Sequence, residues 1–213
     1  MIYRNKKEMI TSLIQPSDIV LDVGFWGQGI RIDSDSWPHR LLKERCKDLY
    51  GLDISFDKKS FPSDHYQMVS AEKFVFPLKF DVIFAGDLIE HLSNPGLFLE
   101  SCLNNLKPEG RLVITTPNTF NLFNLAEKIT KTEPTVNHDH TVYFNQKVLA
   151  QLLGKNGFEV TAVDFIYTLD YKLKESWKKK FLNVVYRSLS VFTDKFVETL
   201  VVTAKISPHK NNS

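Results

Sequence analysis

Short apolar runs alternate with amphipathic segments along most of this chain, and the first long run carries a single acid. Residues 19–23 are apolar except for Asp22, and glycines follow at positions 24, 27 and 29. A near-continuous apolar run bounded by glycine is typical of a strand buried on both faces of a parallel sheet. The pattern predicts an α/β protein with Asp22 at the carboxyl end of this strand, where open α/β sheets bind their ligands.

The rest of the pattern predicts further strands and helices in alternation. Residues 1–15 have a helical spacing of apolar positions that ends before Pro16, and we expect a lid or packing helix without a functional role. Another helix should begin near residues 36–38, with Ser36 as its cap and Pro38 in its first turn. Further helices are predicted at residues 95–106, 119–130 and 145–155, and strands at residues 49–54, 66–70, 80–85, 111–116, 157–166 and 199–206.

These elements predict one domain over residues 1–206, with a helical insertion at 167–195 and a disordered polar tail at 207–213. Within the insertion, residues 171–192 mix aromatic and aliphatic side chains with lysines. Such a basic amphipathic segment either covers the sheet and exposes its lysines, or contacts an anionic membrane or a lipid-linked substrate.

Composition narrows the function classes. A net charge of +2 over 213 residues gives no strong field, so no nucleic-acid partner is expected. The only cysteines, Cys46 and Cys102, imply no disulfide framework. We see no secretory signal and no apolar run near the roughly 20 residues that span a bilayer. The sequence therefore predicts a soluble, cytoplasmic protein.

The order of the glycines argues against a dinucleotide cofactor. Their spacing is G-x-x-G-x-G, whereas the dinucleotide fingerprint is G-x-G-x-x-G. Asp22 stands two residues before the first glycine, where a carboxylate would repel a pyrophosphate. A ligand that carries an ammonium or sulfonium group suits this position better.

Three motifs in order resemble those of class I S-adenosylmethionine-dependent methyltransferases. They are Val-Leu-Asp-Val-Gly at 20–24, the segment 80–92 with its Gly-Asp-Leu-Ile-Glu-His, and the segment 106–118. The resemblance runs in register over about residues 17–165. It is closest to the broad group that includes ubiquinone-type O-methyltransferases and methyltransferases of surface-glycan clusters. It implies a Rossmann-like, doubly wound, seven-stranded sheet, mostly parallel with an antiparallel last strand, and S-adenosylmethionine as cofactor.

The resemblance also implies a set of cofactor-binding residues. The first acid and the glycine loop would hold the methionine end, and an acid at the end of the second strand would accept hydrogen bonds from the ribose hydroxyls. The residue after that acid would lie against the adenine. The family often has an acid after the third strand, where this chain has a serine. The residues so implied are Asp22, Gly24, Gly27, Gly29, Asp53, Ile54, Ser70, Ala71, Gly86 and Asp87.

Three histidines are candidate general bases: His91, His138 and His140. Histidine titrates near neutral pH and can remove a hydroxyl proton, although a structural role beneath its loop is the alternative for His91. Because Glu90 and His91 are adjacent, we expect them to point in different directions. His138-Asp139-His140 lacks a third ligand at a standard spacing, so no metal site is predicted.

Two further residues near the predicted second helix are candidates for contact with a bound molecule. Trp37 and His39 could close over the cofactor or the substrate, but we expect core packing for Trp37 and a surface position for His39.

The sequence therefore predicts methyl transfer to an acceptor oxygen. A hydroxyl of a sugar or glycan intermediate is the first expectation, and a quinone-like or phenolic hydroxyl is the second. A catalytically inactive cofactor-binding or interaction module is the alternative from another class. Trp26 in the glycine loop and the missing acid after the third strand keep that alternative open.

Overall fold

The computed structural model describes residues 1–26, 34, 36–61, 64–130, 137–167 and 196–208. Within them, eight strands and five α-helices alternate along the chain. The strands are β1 Ile2–Tyr3, β2 Ile19–Val23, β3 Asp48–Asp53, β4 Tyr66–Met68, β5 Phe80–Gly86, β6 Leu106–Pro117, β7 Phe158–Ile166 and β8 Thr199–Ile206. The helices are α1 Lys6–Leu13, α2 Pro38–Lys43, α3 Pro95–Asn105, α4 Leu122–Thr130 and α5 Gln146–Lys155.

All eight strands form a single sheet in the order β1-β7-β8-β6-β5-β2-β3-β4. Only β8 runs antiparallel to its neighbours, β6 and β7, which confirms the expected antiparallel last strand. The expected number of strands was seven. The additional strand is Ile2–Tyr3, which pairs in parallel with the end of β7. Two residues are too few to show the alternation by which a strand is predicted.

Helices cover both faces of the sheet, which explains the continuous apolar runs. In β2, Val20 faces α1 and α2, whereas Leu21 and Val23 face the side on which α3 and α5 pack. Since side chains alternate along a strand, Asp22 shares the face of Val20 and points toward α2. This placement decides which residues can contact the acid.

Capping side chains and a proline mark the starts of three helices, and one of the predicted caps is wrong. The side chains of Asn94 and Asn145 accept hydrogen bonds from the N–H groups three residues later, at the starts of α3 and α5. Pro38 opens α2 as expected, but Trp37 precedes it without a side-chain cap, so the predicted cap at Ser36 is wrong.

Two predicted segments lie largely outside the described residues. They are the insertion, of which only Tyr167 is described before residue 196, and the tail, of which residues 207 and 208 are described. No helix in the described part of the chain is long and apolar enough to cross a membrane.

Candidate active site

Six of the predicted cofactor residues lie where three neighbouring parallel strands end: Asp22, Gly24, Asp53, Ile54, Gly86 and Asp87. Strand β2 lies between β5 and β3, and Asp22 is paired with Phe84 on one side and Gly51 on the other. Asp22 is buried, with 3% of its surface exposed. The carboxyl ends of β2, β3 and β5 thus bring the motif residues to one edge of the sheet, as the sequence predicted.

Gly24 makes the turn after β2 possible. Its φ is +77°, in the left-handed region, and a Cβ there would stand 2.9 Å from a methyl carbon of Leu88. Its N–H donates to the carbonyl of Leu52 at 2.8 Å, so this main-chain donor is used within the fold. Gly27 and Gly29 lie outside the described residues.

Asp53 ends β3 and holds two turns together. One carboxylate oxygen accepts from the N–H of Trp26 at 3.0 Å, and the other accepts from the N–H of Ser55 at 3.2 Å. Each oxygen has a second lone pair for a further donor. The next residue, Ile54, is 75% exposed although it is apolar.

Ser70 and Ala71 contribute less than the other predicted residues. The Ser70 hydroxyl accepts from the N–H of Glu72 at 3.2 Å and thus stabilises its own turn. Ala71 is buried in the apolar core. Neither side chain offers a charged group, in agreement with the departure noted in the sequence.

An aromatic cluster surrounds the start of the glycine loop. Phe25 lies at its centre, with Trp37 and Phe56 buried beside it and Trp26 packed edge-on against Phe61 at a centroid distance of 5.5 Å. The Trp37 indole N–H donates to the carbonyl of Phe25 at 2.9 Å. The expectation of core packing for Trp37 is confirmed.

The expectation of a surface position for His39 is wrong. His39 is 2% exposed and lies in the first turn of α2, facing the end of β2. Its Nδ1 is 2.9 Å from a carboxylate oxygen of Asp22, and its Nε2 is 3.0 Å from the hydroxyl of Tyr66. Burial raises the pKa of Asp22, while the hydrogen bond from His39 opposes that rise.

Asp87 ends β5 in a left-handed turn, with a φ of +50° directly after Gly86. One carboxylate oxygen accepts from the Thr115 hydroxyl at 3.0 Å, and the other lies 2.7 Å from Nζ of Lys6 in α1. Burial acts to raise the pKa of Asp87, but the Lys6 ammonium and the hydrogen bonds outweigh it and lower that pKa. The N-terminal helix, expected to have no role, therefore reaches the site.

Glu90 follows in a short 3₁₀ turn, Ile89–His91, and is 2% exposed. Its Oε2 accepts from the Thr116 hydroxyl at 2.9 Å, whereas its buried Oε1 has no hydrogen-bond partner among the described residues. Burial, together with the nearby charge of Asp87, raises the pKa of Glu90 to about 8. A neutral carboxylic acid at this position is the physical consequence.

Two of the three candidate histidines meet beside Glu90. The rings of His91 and His140 lie nearly perpendicular with a centroid distance of 4.6 Å. The N–H of Thr141 donates to the Glu90 carbonyl at 2.8 Å and fixes the segment that carries His140. Burial and the neighbouring His91 lower the pKa of His140. His138, in contrast, has a 90% exposed side chain beside Asp139.

Although Glu90 and His91 are adjacent in sequence, one ligand atom from each of Glu90, His91 and His140 lies within 4.8 Å of the others. One carboxylate oxygen and two imidazole nitrogens form a donor set that could hold a divalent cation. The sequence missed this set because Glu90 and His140 are 50 residues apart.

A cavity of about 610 Å³ is lined by residues of α4, α5 and β8 and by Asn118 and Phe165, and none of the predicted site residues is among the residues described as lining it. It is mainly apolar, and Lys147 of α5 is its one charged lining residue among those described. The segment 141–145 connects the surroundings of Glu90 with this cavity. The N–H of Thr141 is hydrogen-bonded to the Glu90 carbonyl, and Asn145 lines the cavity. The volume is within the range of small-molecule sites.

Comparison with known proteins assigns this arrangement to a family. The profile of the methyltransferase-domain family matches residues 12–163, more than half of the chain. The chain belongs to that family. This confirms the resemblance to class I S-adenosylmethionine-dependent methyltransferases.

Among curated proteins, this methyltransferase is similar to two ubiquinone biosynthesis O-methyltransferases. It is 30% identical to that of Bartonella tribocorum over 118 residues, which cover 53% of this chain and 47% of the relative. It is 31% identical to the mitochondrial protein of Homo sapiens over 121 residues, covering 53% and 33%. The matched part of the chain thus spans half or less of these relatives.

Solved structures of methyltransferases share the fold. An S-adenosylmethionine-dependent methyltransferase of Archaeoglobus fulgidus superposes with a TM-score of 0.58 at 18% identity, covering 93% of this chain and 94% of the other. The 1,6-didemethyltoxoflavin-N1-methyltransferase of Burkholderia thailandensis, crystallised with that substrate and S-adenosylhomocysteine, gives 0.60 at 15% identity, covering 95% and 78%.

The chemistry of the described residues fits the cofactor of this family. Asp22 supplies a buried acid for a cation, and Asp53 has lone pairs left for hydroxyl donors. The exposed apolar side chain of Ile54 beside Asp53 is suited to the face of an adenine ring. The φ of +77° at position 24 is one that residues other than glycine rarely adopt, so the turn after β2 requires glycine.

Proposed function

We propose that this methyltransferase transfers the methyl group of S-adenosylmethionine to a hydroxyl oxygen of a small-molecule acceptor. The observation that carries the proposal is the shared edge of the sheet. The acids Asp22 and Asp53 end β2 and β3, and the His91–His140 pair follows the end of the adjacent β5. A cation site and a proton acceptor therefore stand on neighbouring strands.

In this proposal the bound cofactor supplies an electrophilic methyl group on a sulfonium. Asp22 faces the positively charged methionine end, Asp53 accepts from the ribose, and Ile54 lies against the adenine. The N–H groups of Gly24 and Trp26 are already used inside the fold. These two N–H groups therefore stabilise the loop. Other residues would bind the methionine carboxylate of the cofactor.

The histidine pair is proposed as the source of the general base. A neutral imidazole can take the acceptor's hydroxyl proton, and the lowered pKa of His140 keeps that ring neutral. Glu90, with its pKa raised to about 8, carries a proton at neutral pH and can donate a hydrogen bond beside the pair. Such a base contributes about 10²–10⁴-fold, while alignment of the reactants supplies most of the remaining rate.

Two acceptor classes remain, and they make different demands on the site. The sequence pointed first to a sugar or glycan hydroxyl, which needs many polar partners. The mainly apolar cavity favours the second class, a phenolic or quinone-like hydroxyl on an apolar body. The names of the curated relatives support the second class as well.

We propose that the reaction occurs in the cytoplasm. The membrane contact through residues 171–192 stays a prediction.

Titration calorimetry followed by an acceptor panel tests the proposal. The chain should bind S-adenosylmethionine and S-adenosylhomocysteine, and methyl transfer from radiolabelled cofactor should occur to simple phenols or to nucleotide-linked sugars. Binding without transfer to either class would favour the inactive module. Failure to bind both cofactor forms would refute the proposed function.

A further inference from the structure

Three residues that are distant in sequence form a hydrogen-bonded chain beneath the cofactor edge. Asp22 is the penultimate residue of β2, His39 lies in the first turn of α2, and Tyr66 opens β4. The distances are 2.9 Å from Asp22 Oδ2 to His39 Nδ1 and 3.0 Å from His39 Nε2 to Tyr66 Oη. Asp22 and His39 are 3% and 2% exposed, and Tyr66 is half-buried.

The imidazole of His39 is held by its aromatic neighbours. The ring of Phe25 lies at a centroid distance of 4.6 Å and that of Trp37 at 5.2 Å. Phe61 contacts it edge-on at 6.0 Å. With both nitrogens hydrogen-bonded and the ring packed by aromatic groups, His39 has little freedom to turn away from Asp22.

We propose that His39 is a positioning residue, which holds the Asp22 carboxylate ionised and oriented for a cationic ligand, while Tyr66 holds the imidazole in place through its other ring nitrogen. The inference rests on the proposed function, because the ligand is taken to be the positively charged end of the cofactor. It adds two residues, His39 and Tyr66, that need not touch the ligand themselves.

The proton positions follow from the inventory of donors and acceptors. An ionised Asp22 can only accept, so Nδ1 of His39 carries a hydrogen and donates it. In the neutral imidazole Nε2 is then an acceptor, and the Tyr66 hydroxyl donates to it. Burial, then the charge of Asp22, raises the pKa of Tyr66 to about 12, so the phenol keeps its proton.

This arrangement matters because of the net charge it leaves. A neutral His39 with an ionised Asp22 presents one negative charge to a ligand, whereas an imidazolium would cancel it. The other charged groups that act on Asp22 are Asp53 at the end of β3 and Lys6 of α1. Asp48 and Cys46 act on Tyr66. None of these four donates a hydrogen bond to the Asp22 carboxylate among the described contacts, so His39 has that role.

Two substitutions of similar size separate positioning from packing. His39→Asn keeps a neutral N–H donor in reach of Asp22, whereas His39→Leu keeps apolar bulk and removes the donor. We expect His39→Leu to weaken S-adenosylhomocysteine binding about 10- to 100-fold at neutral pH, the scale of a charge-assisted hydrogen bond. His39→Asn should stay within about threefold of the natural protein.

The pH profile supplies a readout that packing alone would not change. Without its donor, buried Asp22 should take up a proton more readily, so binding by His39→Leu should weaken further as the pH falls and recover as it rises. Binding by His39→Asn should follow the profile of the natural protein. Calorimetry with S-adenosylhomocysteine from about pH 6 to about pH 9 measures both variants, with thermal unfolding of each as a folding check.

Tyr66→Phe tests the other end of the hydrogen-bonded series Asp22–His39–Tyr66 and keeps the aromatic ring of residue 66. Without the hydroxyl, Nε2 loses its hydrogen-bond donor and the imidazole is held less firmly against Asp22, so S-adenosylhomocysteine binding should weaken, by less than in His39→Leu. If both His39 variants bind equally, or if Tyr66→Phe binds as tightly as the natural protein, the positioning role is overturned. If the natural protein itself fails to bind S-adenosylhomocysteine, the proposed function fails instead.

Discussion

Asp22 and Glu90 are both buried acids. Asp22 lies near the end of β2 and Glu90 lies shortly after the end of the neighbouring β5, yet their surroundings differ. Burial raises the pKa of both acids, but Asp22 has a histidine partner whose hydrogen bond opposes that rise. Glu90 has a threonine hydroxyl on one oxygen and no hydrogen-bond partner among the described residues on the other. The first environment favours the ionised carboxylate more than the second, in which the pKa of Glu90 rises to about 8.

This contrast divides the site into two regions with different tasks. We propose that the aromatic cluster and the hydrogen bonds through His39 hold Asp22 in place for a cation. Around Glu90, two histidines and a protonated acid can exchange protons. Binding should therefore depend on the first region and turnover on the second, so substitutions in each region should change different measured quantities.

The largest effect is expected from the histidine pair. Replacing the histidine that acts as base by glutamine, in His91→Gln or His140→Gln, should lower kcat about 10²–10⁴-fold, because general-base catalysis is lost. Cofactor affinity by calorimetry should change less than about twofold, since the cation region is intact. His138→Gln is the matched control and should keep full activity. Loss of cofactor binding in the pair variants would contradict the division into two regions.

The protonated state of Glu90 should be visible in the pH dependence of stability. Its folded pKa is about 8 against an ordinary value of 4.5, so raising the pH between these values deprotonates only the unfolded state. Relative to Glu90→Gln, the natural protein should lose up to about 1.4 kcal/mol of unfolding free energy for each pH unit in this window.

Denaturant unfolding of both proteins over that pH range measures this loss. A chelator should be present, because a cation bound by Glu90, His91 and His140 would ionise the acid and remove the effect. Below the ordinary pKa the two curves should run parallel. Parallel curves throughout would mean that Glu90 is ionised in the folded protein.

A smaller effect is expected at the ribose position. Asp53→Asn preserves size but removes the charge and one acceptor, so S-adenosylhomocysteine binding should weaken by about 1.5–3 kcal/mol. Asp57→Asn, an exposed acid in the following loop, is the control and should bind normally. Equal affinities in the two variants would remove Asp53 from the binding site.

The sequence predicted the strands and helices well because both faces of the sheet are covered. Continuous apolar runs such as Ile19–Val23 carry that information directly. The pairing of Asp22 with His39 was missed, although the alternation within β2 and the helix start at Pro38 together place the two residues on one face. Combining these two signals could have found it.

Contacts between segments that are distant in sequence could not be predicted from these patterns. His140 meets Glu90 only because Thr141 is hydrogen-bonded to the Glu90 carbonyl. Lys6 meets Asp87 only because α1 packs on the face of the sheet that carries Val20. Neither contact has a periodicity or a spacing in the sequence, so both depend on tertiary packing.

The ion pair between Lys6 and Asp87 should give the smallest effect and tests whether the N-terminal helix belongs to the site. Both side chains are about one-quarter exposed, so Lys6→Met should cost only about 0.5–1 kcal/mol of unfolding free energy at neutral pH. Because the folded pKa of Asp87 is lowered, this contribution is present above its ordinary pKa and is lost as the pH falls through the folded value. Lys7→Met, at an exposed position one residue on, should show no such pH dependence. Should the two variants unfold identically at every pH, Lys6 would have no measurable role in holding Asp87, and α1 would act only as a cover for the sheet.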